Sequence, residues 1–319
     1  MNGNLTLYPC FDQTTSGGST TLLSPTRPGY VFNGWSTSPS ASNGITGTYT
    51  PTSDITLYAT WTNNTYTATF DANGGSAASP NKITKEYNSE LGTLPTTTRT
   101  GYTFNGWYTA KDGGTLISST TKLTDHITYY AHWTINSYEL RIDPNGGHRV
   151  PDNITGIVTV TKEYGTTERI SERQRIGYTL TGYTVKNTSN GSTTDVGGAS
   201  FSFNDSTKEG NFTQGTTGIT LIANWTPNIY SVTLDHMNAN KAGTTAYWYL
   251  YNTTKTINNE IVYYYTDAEC TIPLTNYTIT IPAKTGYIFG GYYTDKDGNG
   301  TQYINANGMC INNIYSNLT

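Results

Sequence analysis

Side chains that could perform chemistry are few and widely separated in this sequence. The four histidines, His126, His132, His148 and His236, are scattered, and no HExxH motif or other paired-histidine spacing occurs. We interpret them as solvated or structural residues. Neither a nucleophile–base pair nor a phosphate-binding loop is visible. The sequence therefore predicts no catalytic residue, no cofactor and no enzymatic activity.

The acidic residues with a recurring position are better explained by turns than by acid–base chemistry. Asp71, Asp143 and Asp235 each stand where a short alternating segment enters a turn, and an Asp side chain can cap the backbone there. Residues 295–300, Asp-Lys-Asp-Gly-Asn-Gly, faintly suggest a calcium loop. They lack the spaced acidic ligands and the terminal Glu of an EF-hand, so we predict no metal site.

Three cysteines are too few for a disulfide scaffold and show no zinc-site spacing. Cys270 and Cys310 lie in the same part of the chain and could form a disulfide, which an extracellular setting would permit. Cys10 would then remain single, either as a buried hydrophobic residue or as an intermolecular link.

Composition excludes several classes of protein. Only 13% of the 319 residues are charged, the formal net charge is −4 and the pI is near 5.5, so the basic surface that nucleic-acid binding needs is missing. No stretch of roughly 18 apolar residues is present to insert into a membrane. The 27 tyrosines and the other aromatic residues supply burial that a disordered chain lacks.

A seven-residue pattern recurs four times along the chain. Its copies are Gly29-Tyr-Val-Phe-Asn-Gly-Trp35, Gly101-Tyr-Thr-Phe-Asn-Gly-Trp107, Gly177-Tyr-Thr-Leu-Thr-Gly-Tyr183 and Gly286-Tyr-Ile-Phe-Gly-Gly-Tyr292. The first three are followed by a second motif: Leu57-Tyr-Ala-Thr-Trp61, Tyr129-Tyr-Ala-His-Trp133 and Leu221-Ile-Ala-Asn-Trp225. A third motif opens the next unit: Tyr66-Thr-Ala-Thr-Phe-Asp-Ala-Asn-Gly-Gly75, Tyr138-Glu-Leu-Arg-Ile-Asp-Pro-Asn-Gly-Gly147 and the looser Tyr230-Ser-Val-Thr-Leu-Asp235. Such self-similarity, with a basic period of about 72 residues, indicates tandem repeats.

The motifs divide the chain into four units, which we call repeats 1 to 4: residues 1–61, 62–134, 135–226 and 227–319. Repeat 1 is shortened at its front. Repeat 3 is longer because a Gly/Ser/Thr/Asn-rich stretch, about residues 186–210, reads as an inserted surface loop. Repeat 4 is the most divergent and is rich in aromatic residues.

Local patterns predict mostly strands. The segment Tyr66-Thr-Ala-Thr-Phe70 alternates, and the Asn-Gly-Gly that follows it is a turn signal; residues 158–160 and 279–281 alternate likewise. In the central motif, Gly106 is a candidate β-bulge that re-aims Trp107. The segment before each closing strand, such as residues 118–125, could hold one short helix.

These three linked motifs resemble the Listeria–Bacteroides repeat, also called the internalin B-type B repeat. Residues 62–134 match throughout, whereas Tyr183 and Tyr292 replace the central Trp and repeat 4 lacks its closing motif. The resemblance implies a mostly β, β-rich α+β fold of tandem small β-grasp, ubiquitin-like modules in an extended array. It also implies an extracellular place on the bacterial cell surface and a role as spacer, adhesion or self-association element. No catalytic residue transfers from this family.

The aromatic residues divide into two groups. The recurring tryptophans stand at the same phase of each unit, which is what a core needs, so we interpret Trp35, Trp61, Trp107, Trp133 and Trp225 as core rather than as sugar-stacking platforms. The non-repeating aromatics of repeat 4 are a candidate ligand surface, with strand packing as the alternative. They are Tyr247, Trp248, Tyr249, Tyr251, Tyr263, Tyr264 and Tyr265.

The two ends of the sequence are complementary. The first residues, Asn4-Leu-Thr-Leu-Tyr-Pro-Cys-Phe11, resemble a closing strand, whereas the last, Asn317-Leu-Thr319, stand where a closing strand should begin. One explanation is a fragment of a longer array. The other is that a strand containing Leu5, Leu7, Tyr8 and Phe11 completes repeat 4 of another molecule and builds a head-to-tail filament.

Taken as a whole, the sequence predicts a non-enzymatic bacterial surface repeat protein that acts as a structural stalk, adhesive or fibre-forming element. Self-association or contact between neighbouring repeats is the expected interaction, with a host protein or a glycan as a further partner. A carbohydrate-binding or host-receptor-binding module and a phage structural fibre are the alternatives.

Overall fold

Residues 18–312 are the part of the chain that this computed structural model describes, and they form β-structure throughout. The only helical element among them is a single 3-10 turn, Thr275–Tyr277. The α component that we expected at residues 118–125 is therefore wrong: the segment folds as a turn closed by a hydrogen bond from Thr121 N–H to Ser118 O and then enters a short strand. Thr and Ser bond to nearby backbone and so favour turns over helix. None of the described residues belongs to a helix that is long and apolar enough to cross a membrane.

The chain separates into two compact units, residues 1–136 and 137–319. The first unit contains repeats 1 and 2. Repeat 1 has four strands: β1 (Thr20–Leu22), β2 (Tyr30–Ser36), β3 (Gly47–Tyr49) and β4 (Tyr58–Asn63). Strand β2 pairs antiparallel with β4, and β1 pairs antiparallel with β3.

Repeat 2 shows a more complete sheet. Its strands are β5 (Thr65–Asp71), β6 (Lys82–Glu86), β7 (Ser89–Glu90), β8 (Tyr102–Tyr108), β9 (Lys122–Leu123) and β10 (Ile127–Ile135). Four of them form a sheet in the order β6-β5-β10-β8. The opening strand β5 is parallel to the closing strand β10, which is antiparallel to β8. The closing strand therefore lies in the middle of the sheet and carries buried residues, including Tyr129 and Ala131, onto the core.

Repeat 3, in the second unit, repeats this arrangement and adds a second sheet. Its strands are β11 (Ser137–Asp143), β12 (His148–Arg149), β13 (Val158–Glu163), β14 (Thr167–Ile170), β15 (Arg173–Gln174), β16 (Tyr178–Asn187), β17 (Ser200–Asn204), β18 (Glu209–Thr213) and β19 (Ile219–Pro227). The main sheet has the order β13-β11-β19-β16, and β14-β18-β17 form the additional one. Residues 186–210, read from sequence as a loop, thus contain strand β17. Phe201 and Phe203 alternate with Ser along it and pack on the core.

Repeat 4 is built from smaller sheets. Its strands are β20 (Ile229–Thr233), β21 (Ala246–Leu250), β22 (Lys255–Ile257), β23 (Glu260–Val262), β24 (Tyr264–Tyr265), β25 (Tyr292–Tyr293) and β26 (Gln302–Ile304). The largest sheet has the order β20-β21-β24. Residues 279–281, predicted as a strand, form none: Ile279 is buried in the core and its N–H donates to Gly308 O.

The predicted bulge at Gly106 is confirmed. The β8–β10 register skips one residue there, so that Gly106 faces His132 whereas Phe104 faces Trp133. Gly106 has φ +121°, a conformation that favours glycine. The extra residue returns Trp107 to the face of Phe104, and their ring centroids lie 5.4 Å apart. Repeats 1 and 3 carry the same register shift at Gly34 and Gly182.

Candidate functional site

The candidate chemical residues occupy structural positions. His126 Nδ1 lies 3.1 Å from a backbone N–H of β5, and the Nε2 atoms of His132 and His236 lie 3.0 and 2.9 Å from backbone carbonyl oxygens. His148 lies in the short strand β12. Among residues 18–312, no group of three or more His, Cys, Asp or Glu side chains is arranged to hold a metal ion.

The recurring aspartates cap turns, as predicted. Asp71, Asp143 and Asp235 each accept a hydrogen bond at Oδ1 from the backbone N–H two residues later, at 2.8, 2.8 and 2.9 Å. Residues 295–300 form the connection between β25 and β26, where Gly298 N–H donates to Asp295 O at 3.1 Å. The carboxylates of Asp71, Asp143 and Asp235 are thus explained by turn formation.

A cavity of about 350 Å³ in repeat 3 is lined by basic groups, among them His148, Arg173 and Arg175. Arg173 is 3% exposed and donates from Nη1 to Ser171 O at 2.8 Å. Burial lowers the pKa of Arg173, and burial raises the pKa of the nearby Tyr183 phenol to about 12. Backbone carbonyl oxygens thus accept some of the hydrogen bonds that this buried guanidinium can donate.

The recurring tryptophans belong to the cores, as predicted. Trp35 and Trp107 are buried, and Trp61, Trp133 and Trp225 are half-buried. The indole N–H of Trp107 donates to Pro95 O at 2.7 Å.

The aromatic residues considered as a ligand surface are placed mainly inside repeat 4. Tyr247, Tyr249, Tyr264 and Tyr265 are at most 4% exposed. Trp248 and Tyr263 are half-buried against the same cores, and Tyr251 lies at a junction described below. Burial raises the pKa of the Tyr247 phenol. The structure therefore assigns the four buried tyrosines to packing.

Cys270 and Cys310 are free thiols, so the structure lacks the disulfide considered from the sequence. They pack in two different apolar clusters of repeat 4. Burial raises the pKa of each thiol to about 11, which disfavours the reactive thiolate. Cys10 lies outside the described residues.

Repeats 1 and 2 meet at a compact junction. A single residue, Asn64, separates the closing strand β4 from the opening strand β5. Its N–H donates to Gly29 O at 2.9 Å, and its carbonyl oxygen accepts from Tyr87 N–H at 2.8 Å. The Tyr87 ring lies directly on Gly29, where any Cβ would collide with it, and contacts Tyr30 edge-on at 5.9 Å between ring centroids.

Repeats 3 and 4 meet in the same way. Asn228 separates β19 from β20; its N–H donates to Gly177 O at 2.8 Å, and its carbonyl oxygen accepts from Tyr251 N–H at 3.0 Å. The Tyr251 ring covers Gly177 and contacts Tyr178 edge-on at 5.6 Å. One junction geometry is thus built twice from matching positions.

A basic residue stands before the central motif in these repeats, and its charged group lies over the ring of the motif tyrosine. Arg27 lies over the Tyr30 ring at 3.7 Å from its centroid, and Arg175 lies over Tyr178 at 4.0 Å. In repeat 4, Lys284 takes this place over Tyr287 at 4.8 Å. These cation–π contacts fix the tyrosine that the next repeat approaches.

The junction tyrosines were not identified from the sequence. A signal was present: the tripeptide Lys-Glu-Tyr occurs at residues 85–87 and again at 162–164, and one Asn precedes each opening strand, at Asn64, Asn136 and Asn228. At Tyr87 the conserved spacing to Asn64 places the ring on the preceding repeat rather than in the core of its own repeat.

A larger cavity, of about 1080 Å³, lies within repeat 4. Residues of β20 and residues 287–293 are among those that line it. The candidate assembly residues Leu5, Leu7, Tyr8 and Phe11 lie outside the described residues.

Comparison with known proteins agrees with the repeat architecture. The family model of the Listeria-Bacteroides repeat domain matches residues 1–60, 66–132 and 247–315, more than half of the chain. Repeat 3, residues 135–226, lies entirely outside these matches, although its main sheet has the same arrangement of strands as that of repeat 2. The resemblance found from the motifs is therefore confirmed.

Curated relatives share parts of the chain. A protein of Evansella cellulosilytica whose name describes a Gly-rich membrane protein is 34% identical over 49% of this chain and 19% of its own length. Internalin H of Listeria monocytogenes is 41% identical over 38% of this chain and 22% of its own length. A second E. cellulosilytica protein, named as a membrane protein, is 27% identical over 88% of this chain and 36% of its own length.

The chain thus spans between a fifth and just over a third of the length of these relatives. No solved structure matches it. On the family match, carried by three copies of one repeat, the chain belongs to the Listeria-Bacteroides repeat domain family.

Proposed function

We propose that this chain is a non-enzymatic, extracellular segment of a bacterial surface protein and that it acts as a structural stalk. Membership in the repeat family and similarity to part of Internalin H support this assignment. The expected small β-grasp module belongs to the same proposal, and the mixed sheet order of repeats 2 and 3 supports it.

The observation that carries the proposal is the junction built twice, at Asn64 and at Asn228. A one-residue link restricts how far one repeat can swing against the next, because few dihedral angles are available. Two backbone hydrogen bonds and a tyrosine ring seated on glycine hold each link further. A spacer that carries load between its ends needs such coupling, whereas an enzyme or a flexible linker does not.

Pulling single molecules from both ends tests this function. We expect force peaks as repeats rupture, and a lower rupture force when Tyr87→Ala and Tyr251→Ala remove both junction rings. The matched control is Tyr58→Ala, which truncates a 39%-exposed tyrosine of repeat 1 and leaves the peaks unchanged. Smooth extension of the wild-type chain without force peaks would exclude a load-bearing stalk.

Two other functions make different predictions. A carbohydrate- or host-receptor-binding module requires an accessible aromatic surface, for which Trp248 is the half-buried candidate. A glycan array probed with the wild-type chain and with Trp248→Ala examines this function, and binding lost in the variant would favour it. Fibre formation, on a bacterial surface or in a phage particle, requires self-association, which light scattering measures.

A further inference from the structure

The basic cavity of repeat 3 is lined by residues that differ in type from those at the matching positions of repeat 2. By alignment of the motifs, Arg173 stands where repeat 2 has Thr97, and His148 stands where it has Ser76. Lys208, from the turn between β17 and β18 of the insertion, lines the same cavity. Three basic residues from separate segments thus converge in a chain that has only 18 Lys and Arg and a net charge of −4.

Repeat 2 shows what the fold itself requires at the position of Arg173. Thr97 is 7% exposed, and its hydroxyl donates to Ser76 O at 2.5 Å. A short uncharged side chain that bonds one backbone carbonyl is therefore sufficient for folding at this position. A guanidinium there costs desolvation free energy, because a buried cation loses its hydration. Folding alone does not explain why repeat 3 has an arginine.

Arg173 carries a buried charge without a counterion among residues 18–312. A guanidinium is not deprotonated in proteins, so the charge remains on burial. None of the ion pairs within the described residues includes Arg173. Buried charges in folded proteins are ordinarily paired. The missing partner of this cation is therefore an anion.

The hydrogen bonds of Arg173 leave one edge of its guanidinium unused. Within residues 18–312, its bonds to Ser171 O, Ser171 Oγ and Glu172 O all leave from Nη1, at 2.8, 2.9 and 3.3 Å. Nε and Nη2 have no acceptor among the same residues, and neither atom is sealed from solvent. Two parallel N–H groups on one edge are the geometry to which a carboxylate binds with both oxygens.

Two other arginines of repeat 3 show how this edge is used. Arg149 donates from Nε and Nη2 to the two carboxylate oxygens of Asp152. Arg169 donates from the same two atoms to the carboxylate of Glu209. The open edge of Arg173 is thus equivalent to two edges that hold a carboxylate in the same repeat.

The cavity has the size and the polar groups for one sugar residue. Its volume of about 350 Å³ lies at the lower end of the range of roughly 300–1,000 Å³ for small-molecule pockets. Gln174 and Glu172 line it and can form hydrogen bonds with sugar hydroxyls. Ile176, which is 72% exposed, adds an apolar contact among the lining residues.

The balance of charge favours a carboxylate over a phosphate. Two of the lining cations are already engaged, since Arg175 lies over the Tyr178 ring and Lys208 forms an ion pair with Asp205. Glu172 adds a negative charge to the lining, and it repels a dianion more strongly than a monoanion. A phosphate monoester carries a charge of about −1.5 to −2 at pH 7. A ligand with a single carboxylate suits this lining better.

We propose that repeat 3 binds a carboxylate-bearing sugar in this cavity, with both carboxylate oxygens accepting from Nε and Nη2 of Arg173. His148 and Lys208 line the same cavity and can donate further hydrogen bonds, while Gln174 and Glu172 bond the sugar hydroxyls. The site adds a binding function that the proposed stalk does not need. It lies in the repeat that falls outside the family matches.

NMR titration of the isotope-labelled full chain tests the site. The probes are sodium glucuronate, sodium galacturonate and sodium N-acetylneuraminate, with glucose as the neutral sugar and inorganic phosphate as the competing anion. We expect amide shifts at residues 171–178 with at least one acidic sugar and none with glucose. Arg173→Thr installs the residue of repeat 2 and should weaken this binding about tenfold or more, because it removes two charge-assisted hydrogen bonds.

Two further variants separate the fork of Arg173 from its charge. The matched control, Arg169→Thr, makes the same substitution at an arginine side chain of repeat 3 that is 71% exposed and does not line the cavity. It should bind the sugar like the wild type. Arg173→Lys retains the charge and should bind more weakly than the wild type, because an ammonium lacks the planar fork.

Urea unfolding distinguishes a binding role from a structural one. Loss of a buried cation that has no counterion removes a desolvation cost, so Arg173→Thr should unfold at the wild-type urea concentration or above it. A bound sugar should raise the midpoint of the wild type and of Arg169→Thr but not that of Arg173→Thr. A lower midpoint for Arg173→Thr without sugar would assign Arg173 to folding instead.

Three binding results would overturn the proposal. These are no shifts with any of the three acidic sugars, equal binding by Arg173→Thr and the wild type, and tighter binding of inorganic phosphate than of every acidic sugar. The last would assign the cavity to a phosphate group. Single-molecule pulling is carried out without sugar, so its force peaks test the stalk function separately from this site.

Discussion

The central aromatic residue of each repeat shows how one side chain changes its surroundings. Where this residue is Trp, as at Trp107, it fills the space between the sheet and the preceding loop and bonds to Pro95 O. Tyr183 is smaller, and Phe201 and Phe203 of the inserted strand pack against it at 5.4 and 6.3 Å between ring centroids. The insertion in repeat 3 thus replaces volume lost in the core, as close packing requires.

A hydrogen-bonded carboxylate in the turn after β24, Asp267, gives a pH-dependent prediction at the same scale. Although burial alone would raise it, hydrogen bonds from the Thr271 hydroxyl and from Ile272 and Thr271 N–H hold the pKa of Asp267 below its usual value. A lowered folded pKa gives stability that is complete above the unfolded pKa of about 3.9 and is lost as the pH falls through the folded value. Asp267→Asn should therefore lower the urea midpoint at pH 7 and have progressively less effect toward pH 2.

Its control is Asp297→Asn, at an exposed aspartate of the same repeat. This variant should follow the wild-type urea midpoint at every pH. A loss of stability in Asp267→Asn that is equal at pH 7 and pH 2 would show that the ionised carboxylate is not the stabilising form.

At the scale of elements, the junction between repeats is the repeated functional unit. Tyr87 follows strand β6 of repeat 2, and Gly29 lies in the turn before β2 of repeat 1. Each residue therefore finds its packing partner in the neighbouring repeat. Side chains reinforce the contact, because Asn63 Nδ2 donates to Glu86 Oε2 at 2.6 Å. Cooperative unfolding of neighbouring repeats follows from such an interface in tandem-repeat proteins.

Alanine substitutions at two glycines distinguish the effect of backbone strain from the effect of junction packing. Gly29 and Gly47 both have positive φ, +80° and +84°, but only Gly29 carries a neighbouring ring. Alanine at either site costs about 1–2 kcal/mol of left-handed strain, and at Gly29 the displaced Tyr87 adds about 1–3 kcal/mol. Calorimetry of Gly29→Ala should show repeats 1 and 2 unfolding separately, whereas Gly47→Ala keeps one transition. Identical thermograms would show that the junction does not couple the repeats.

At the scale of the whole molecule, each of the two compact units holds one pair of repeats joined by the same kind of junction. The Asn64 link joins repeats 1 and 2, and the Asn228 link joins repeats 3 and 4. Recurrence of one short link in a chain of similar repeats is the arrangement that the proposed stalk requires.

Light scattering and negative-stain electron microscopy distinguish a stalk from a fibre. A chain that acts as a stalk segment should give a scattering mass of 34.9 kDa at every concentration. Filaments, with a mass that rises with concentration, would instead favour the fibre-forming function.

The sequence by itself determined the repeats, their family, the strands at residues 66–70 and 158–160, the bulge at Gly106 and the turns at Asp71, Asp143 and Asp235. These features depend on local rules: alternation, glycine conformation and short-range capping. Repetition strengthened these predictions, because the same residue types recur at matching positions in four copies of one motif.

Tertiary structure alone decided the rest. Burial of Tyr247, the strand inside the insertion of repeat 3, the seat of Tyr87 on Gly29 and the cavity of repeat 4 all depend on residues far apart in sequence. Alternation in a strand shows that two faces differ but not what covers each face. Only the packing of neighbouring elements settles whether an aromatic side chain becomes core, junction or exposed surface.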